Sequence, residues 1–399
     1  MCDAWRDVPE ALWNDWHWQQ AHRIRTLLAL ERVVHLTDDE RRAVTEAAAL
    51  FRMAITPYYA SLIDPDDVLD PIRQQAVPQL AELVVQPDEM VDPLAEESHM
   101  PVEGLTHRYP DRVLLYVTHN CPVYCRHCNR KRKVGNPQSA PARDRLDAWI
   151  DYLRTHDEVR DVLVSGGDPL SLSDARLEEI LRRLREVPHI EILRLATRNP
   201  VTLPQRLTDE LVAMLRRYQP LYVNTHFNHL RECTPEAARA LDRLADGGSV
   251  LGNQMVLLRG INEDPNMVRA LNHWLLRHRC RPYYIFQADP AQGIAHFRTP
   301  IASGLRLIDS LRGWTSGLAV PHYVVDLPGG GGKVPLVPEY HVAQDGRRYT
   351  FRNYAGELFT YDEGVTPTAA PPTTPSPAPR TPPRSGRGPR RGRTPHETS

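Results

Sequence analysis

Residues 112–128 read RVLLYVTHNCPVYCRHC. The first seven are rich in branched and aromatic side chains, the composition of a strand. The ten that follow carry Cys121, Cys125 and Cys128 at C-x3-C-x2-C spacing. Working outward, similar short runs appear at DVLVSG (161–166), EILRLAT (191–197), LYVNTHF (221–227), NQMVLL (253–258) and PYYIFQ (282–287), with HYVVDL (322–327) further on. Between them lie segments of helical period, among them DARLEEILRRLREV, TPEAARALDRLAD and NMVRALNHWLLRHR. Strand and helix repeated six times predict an α/β fold with a parallel sheet, a barrel or a doubly wound sheet. Polar residues gather where the strands end: SGGD, TRN, THFNH, QAD and VDLPGGGGK. In a barrel those ends share one face, where catalytic residues collect.

The flanks have a different character. Residues 1–100 read as a helical region and connector, with Trp13, Trp16 and Trp18 in an amphipathic stretch and a capping box at Thr37-Asp-Asp-Glu40. Residues 101–335 hold the alternating pattern and 336–364 form a short C-terminal segment. From Val365 to Ser399 the chain is rich in Pro and Arg, with no large apolar residue after the valine, so a disordered tail is expected.

The whole chain has 399 residues, 41% hydrophobic and 25% charged, with a net charge of -1. No global positive field recruits nucleic acid or anionic lipid, and no apolar run approaches the roughly 18 residues of a membrane span. The start, MCDAWRDVPEALWNDW, lacks the basic and apolar parts of a secretory signal, so a cytoplasmic location is expected. Of 49 basic residues, lysine occurs only at Lys131, Lys133 and Lys333. Where arginine has replaced most lysines, those that remain are worth inspecting for amine chemistry that arginine cannot do.

Three thiols in a reducing compartment point to metal rather than a disulfide. A structural zinc wants four closed ligands, and a Cys3His set with His119 or His127 is one reading. A [4Fe-4S] cluster normally takes four thiolates; three leave one iron open to a small molecule's amine and carboxylate. At the other end, Lys333 closes PGGGGK. A phosphate-binding loop fails there, because Leu327 stands where the first glycine belongs and Val334 where Ser or Thr must hold magnesium. A lysine on a permissive loop at a barrel mouth can instead form a Schiff base with a carbonyl cofactor.

The triplet, with Tyr124 before its second cysteine, resembles the radical S-adenosylmethionine (SAM) superfamily, and Ser165-Gly-Gly-Asp168 resembles that superfamily's glycine-rich turn. With HRYPDRVL, CRHCNRKR, SGGDPL, NTHFNH, GIAHFRTP, TSGLAVPHYVVD and PGGGGK in order, the chain resembles the lysine 2,3-aminomutase family from its start to about residue 340. That resemblance implies a partial (β/α)6 barrel and an isomerase that moves the α-amino group of an amino acid to the β-carbon. It implies a [4Fe-4S] cluster on Cys121, Cys125 and Cys128. It implies SAM against Gly166, Gly167, Asp168, His226 and Gln254, and pyridoxal 5'-phosphate (PLP) on Lys333 with Arg108, Tyr109 and Arg112. Arg130 matches the family's partner for the substrate carboxylate, and Asp289 and Asp326 match the two aspartates of lysine-acting members. Two carboxylates repel a dicarboxylate substrate. L-lysine is therefore the first expectation and L-arginine the second, since Phe286 stands where lysine-acting members typically carry tyrosine. A lysyl aminomutase serving translation-factor modification is a third reading. A flavodoxin- or ferredoxin-type donor is the implied electron source. No cysteine follows Cys280, so the zinc site that some members place between subunits is missing, and whether the chain forms a homo-oligomer stays open.

Overall fold

The computed structural model describes residues 3–47, 50–136 and 145–364; the tail expected from 365 lies outside them. Two compact units divide between Glu339 and Tyr340.

The first unit is built on a nine-stranded sheet in strict chain order. The strands are β1 (Leu105–Tyr109), β2 (Arg112–Thr118), β3 (Asp161–Gly166), β4 (Ile192–Ala196), β5 (Leu221–Thr225), β6 (Val250–Leu257), β7 (Cys280–Gln287), β8 (His322–Leu327) and β9 (Gly332–Leu336). Each pair from β2 to β8 is parallel. The six parallel strands expected from sequence are β2–β7, which bears out the barrel reading. HYVVDL adds a seventh parallel strand, and β1 and β9 pair antiparallel at the two edges.

Helices cross between the parallel strands for local reasons. Asp174–Arg185 starts on a Ser173 cap and buries Leu177, Ile180, Leu181 and Leu184 on one face. Pro235–Asp246 and Pro265–Arg277 open with proline at the first turn, capped by Thr234 and Asp264. In the strands, Val162, Val164, Leu193, Leu195, Leu221 and Val223 alternate inward to one continuous core. Among the described residues no helix is long and apolar enough to cross a membrane.

The sheet's two edges approach one another through side chains. Tyr109 of β1 accepts a hydrogen bond from the Lys333 backbone amide of β9 at 3.1 Å, and Arg108 reaches Asp326 of β8 at 3.4 Å. The glycine run makes this turn possible: Gly330 and Gly332 sit at φ +86° and +85°, a region that side chains strongly disfavour. Lys333 itself is not on a loop, contrary to the sequence expectation. It is the second residue of β9, paired in register with Asp326, and the ladder fixes its direction.

The N-terminal region packs into the same core. The expected capping box forms, with the Thr37 amide donating to Glu40 at 2.8 Å and the Glu40 amide to the Thr37 hydroxyl at 3.2 Å. The helix it opens runs Asp38–Ala47. Ile55 then forms an isolated antiparallel bridge with Ile24. The second unit contains an antiparallel sheet of β10 (His341–Asp345), β11 (Arg348–Arg352) and β12 (Leu358–Asp362).

Candidate active site

The cysteine loop leaves β2 and is held from below by the N-terminal region. Arg23 donates to the Asn120 side chain at 2.9 Å and to the Cys121 carbonyl at 2.6 Å. The Tyr124 amide bonds the Ala54 carbonyl, and the Arg126 amide bonds the Gln75 carbonyl, both at 2.9 Å. Arg126 and Lys131 share the buried carboxylate of Glu82, which lies 2.8 Å from the Lys131 amine. Burial alone would raise the Glu82 carboxyl, but these two cations hold it below its ordinary value. Stranding such a charge by removing its partners costs about 3–5 kcal/mol, so the loop is rigidly fixed. Lys131 is thus a buried structural cation, and Lys133 pairs with Glu97 at 3.1 Å.

The SGGD turn closes over this loop. The Gly167 amide donates to the Thr118 carbonyl at 2.5 Å and the Asp168 amide to the Asn120 carbonyl at 2.9 Å. A Cβ on Gly167 would stand 2.5 Å from the Asn120 carbonyl oxygen. Gly167→Ala is therefore expected to destabilise the protein by about 1–3 kcal/mol, the range for overpacking, and to lower the iron bound per chain. Thermal melting and iron analysis check both. The Asp168 carboxylate is taken up by protein donors: Thr197 at 2.7 Å, the Leu170 amide at 3.0 Å and the Arg198 amide at 2.7 Å. These bonds fasten the turn to the end of β4.

His226 follows β5 and Gln254 lies inside β6. Burial, then the charge of Arg198, lowers the His226 imidazole to about 4, against the hydrogen bond with the Gln254 backbone, so the ring is neutral at pH 7.

Burial raises the Cys121 and Cys128 thiols, Cys128 to about 11, and neighbouring thiolates of the triplet add to the rise. The three sulfurs therefore lie in one electrostatic neighbourhood. Yet among the described residues no three Cys, His, Asp or Glu side chains converge where a single ion could sit. A zinc site needs four ligands on one point, whereas a cluster takes each thiolate on a different iron.

On the far side of the mouth, the Lys333 amine lies 3.1 Å from each oxygen of the buried Asp326 carboxylate. It stands 5.4 Å from the Phe286 ring centroid. Arg108 and Arg112 stand 4.9 and 4.8 Å from the Tyr109 ring centroid, two cations beside the residue that anchors the Lys333 backbone. That donor set, an amine with two guanidiniums and a phenol, fits a phosphorylated carbonyl cofactor.

The two halves meet at Asp289. Asn129, next to Cys128, donates to it at 2.7 Å. Burial pushes the Asp289 carboxyl up to about 6; the Asn129 bond pulls it down, Asp326 raises it further, and Lys333 and Arg130 lower it. Asp289 thus links the cysteine loop to the electrostatic neighbourhood of Asp326 and Lys333. Arg130 is also there, but its Nε donates to both oxygens of Glu96 at 3.0 Å and to the Tyr116 hydroxyl at 3.2 Å. Despite burial, Arg130 and its hydrogen bonds hold the Glu96 carboxyl at about 2. A substrate carboxylate would share this cation with a resident one.

Residues 115–271 match the radical SAM superfamily, and residues 308–373 match the family described as lysine-2,3-aminomutase. L-lysine 2,3-aminomutase of Clostridium subterminale is 50% identical over 91% of this chain and 87% of its own length. The chain belongs to the lysine 2,3-aminomutase family. An L-lysine 2,3-aminomutase of Fusobacterium nucleatum is 49% identical over 90% of this chain and 84% of its own. A glutamate 2,3-aminomutase of Clostridioides difficile is 45% identical over 88% and 83%. This family member is therefore an isomerase, a radical SAM 2,3-aminomutase acting on an amino acid. Membership implies a [4Fe-4S] cluster and SAM, with PLP as the aminomutase cofactor.

Glu82, Glu96, Arg23 and Arg198 were not singled out from sequence. Each acts through a partner distant in the chain; Arg198 alone carried a local signal, as part of the polar TRN cluster where a strand ends.

Proposed function

We propose that this aminomutase takes a basic L-amino acid, L-lysine first, and returns its β-amino isomer. The observation that carries the reading is the pairing of Asp326 with a lysine ammonium, here the chain's own Lys333, with Asp289 in the same electrostatic neighbourhood. When Lys333 is engaged by cofactor, its place beside Asp326 is open to the substrate's far ammonium group. The family includes a glutamate enzyme, but a second carboxylate placed against two aspartates is repelled by several kcal/mol.

Cys121, Cys125 and Cys128 would each hold one iron, leaving the fourth for the amine and carboxylate of SAM. Gly166 and Gly167 let SAM approach the backbone closely, while Asp168 keeps the turn in place. His226, uncharged, and Gln254 line the adenosyl side. Bound there, SAM supplies a carbon radical and PLP an electron sink; an external one-electron donor of flavodoxin or ferredoxin type starts the cycle. Lys333 anchors PLP, Arg108 and Arg112 hold its phosphate, and Tyr109 orders both arginines. Arg130, kept charged by Glu96, receives the substrate carboxylate.

Because a cationic side chain binds ionised Asp289, KM for lysine is expected to rise as pH falls through about 6, by about tenfold per pH unit below it. kcat at saturating lysine should change much less. Initial rates between pH 5 and 8 measure this.

L-arginine is the second reading, because Phe286 beside Lys333 carries no hydroxyl. Anaerobic incubation of reconstituted enzyme with lysine, arginine or glutamate and a strong reductant, with chiral product analysis, tests the assignment. Isomerisation of a basic amino acid and not of glutamate supports it. Turnover of glutamate alone would overturn it.

A further inference from the structure

In the TRN cluster at the end of β4, the Arg198 guanidinium is left without a part in this scheme, yet Arg198 touches three of its elements. Its backbone amide is the donor that Asp168 accepts at 2.7 Å. Its Nε donates to the His226 carbonyl at 3.1 Å, and its Nη1 lies 2.7 Å from the Cys125 sulfur. Nη2 is held on the opposite side by Glu232 at 2.6 Å, Gln75 at 2.6 Å and the Tyr59 hydroxyl at 3.2 Å. Arg198 is only 9% exposed and Glu232 is fully buried. Glu232 is itself fixed by Tyr59 at 2.8 Å and by the Asn228 and His229 amides at 2.6 and 3.1 Å.

This is a fixed, buried guanidinium, with its carboxylate on one side and one arm on the Cys125 sulfur. Hydrogen bonds to the sulfurs are among the main determinants of an iron–sulfur potential. A cation that cannot move stabilises added negative charge more strongly at low dielectric than in water.

We propose that Arg198 sets the reduction potential of the cluster by donating a charge-assisted N–H···S hydrogen bond to Cys125, while its backbone ties that ligand to the SAM turn. The inference rests on the three cysteines holding the cluster. In the step concerned, the oxidised cluster takes one electron from the external donor and gains one negative charge; no proton moves. Arg198 favours the reduced form, and Glu232 lies on the guanidinium's far side, where it orients the cation without shielding the sulfur.

The test is an EPR-monitored redox titration of full-length reconstituted protein without substrate, beside iron and sulfide analysis. Arg198→Gln strands the Glu232 carboxylate, so Arg198→Gln/Glu232→Gln, which removes both charges, carries the measurement. The expected result is normal cluster content with a midpoint at least about 59 mV more negative, a tenfold loss of reduced cluster at a given potential for a one-electron couple. Arg198→Lys, which keeps the charge but loses the fork, should fall between. An unchanged midpoint in a fully loaded double variant overturns the proposal. So does a folded double variant that takes up no cluster, since Arg198 would then serve loading and not potential. Failure of the cluster reading itself looks different: the unaltered protein would assemble no [4Fe-4S] signal.

Discussion

Lys333→Ala is expected to abolish covalent PLP and lower turnover by about 10³-fold or more, within the range for loss of a group acting directly on the reacting centre. Borohydride reduction followed by mass spectrometry should add one cofactor mass to the unaltered chain, on the peptide containing Lys333, and none to the variant. The side chain is a third exposed and pairs with Asp326, so its loss removes little packing and the variant should fold. The expected pattern is an intact cluster, an intact melting curve and no fixed cofactor. A variant that keeps both covalent cofactor and turnover would remove Lys333 from the chemistry.

The second large effect is on substrate charge. Asp289→Asn and Asp326→Asn are each expected to lower kcat/KM for lysine by about 10²-fold, since truncating one partner of a buried ion pair costs about 2–5 kcal/mol. The two should differ in kind. Asp289 is hydrogen-bonded to Asn129, so its variant should mainly raise KM and keep full PLP content. Asp326 contacts both Lys333 and Arg108, so its variant should disturb cofactor uptake as well. Steady-state kinetics with PLP content measured in parallel separates the cases. Equal, small effects on KM would mean that neither carboxylate meets the substrate's far end.

What sequence made legible was local. The strand-to-triplet passage at 112–128, the glycine turn at 165–168 and the alternation of periods are each determined by neighbours in the chain, and the strand order of the sheet bears out the alternation. The edges were harder. Tyr109 and Lys333 lie more than two hundred residues apart, and only the curvature of the sheet brings β1 to β9, so Lys333 read as a loop residue. Within residues 1–100, the connector is the stretch from Pro71 to Met100, where prolines and acids interrupt every period. In the folded chain two of those acids, Glu82 and Glu96, are the buried counter-charges of Arg126, Lys131 and Arg130. Pairings of that kind leave no spacing pattern. The scarcity of lysine pointed to amine chemistry at Lys333 but said nothing of Lys131, whose ammonium is buried for packing and charge balance.

The most direct measurement follows hydrogen between the two halves of the mouth. Enzyme loaded with cluster and PLP is mixed anaerobically with SAM, reductant and L-lysine deuterated at C3, and the SAM-derived adenosyl group is recovered for mass spectrometry. If the thiolate loop and Lys333 serve one reaction, deuterium enters the 5' carbon of that group and appears at C2 of the β-amino product. Deuterium confined to lysine, with the adenosyl group cleaved but unlabelled, would contradict it.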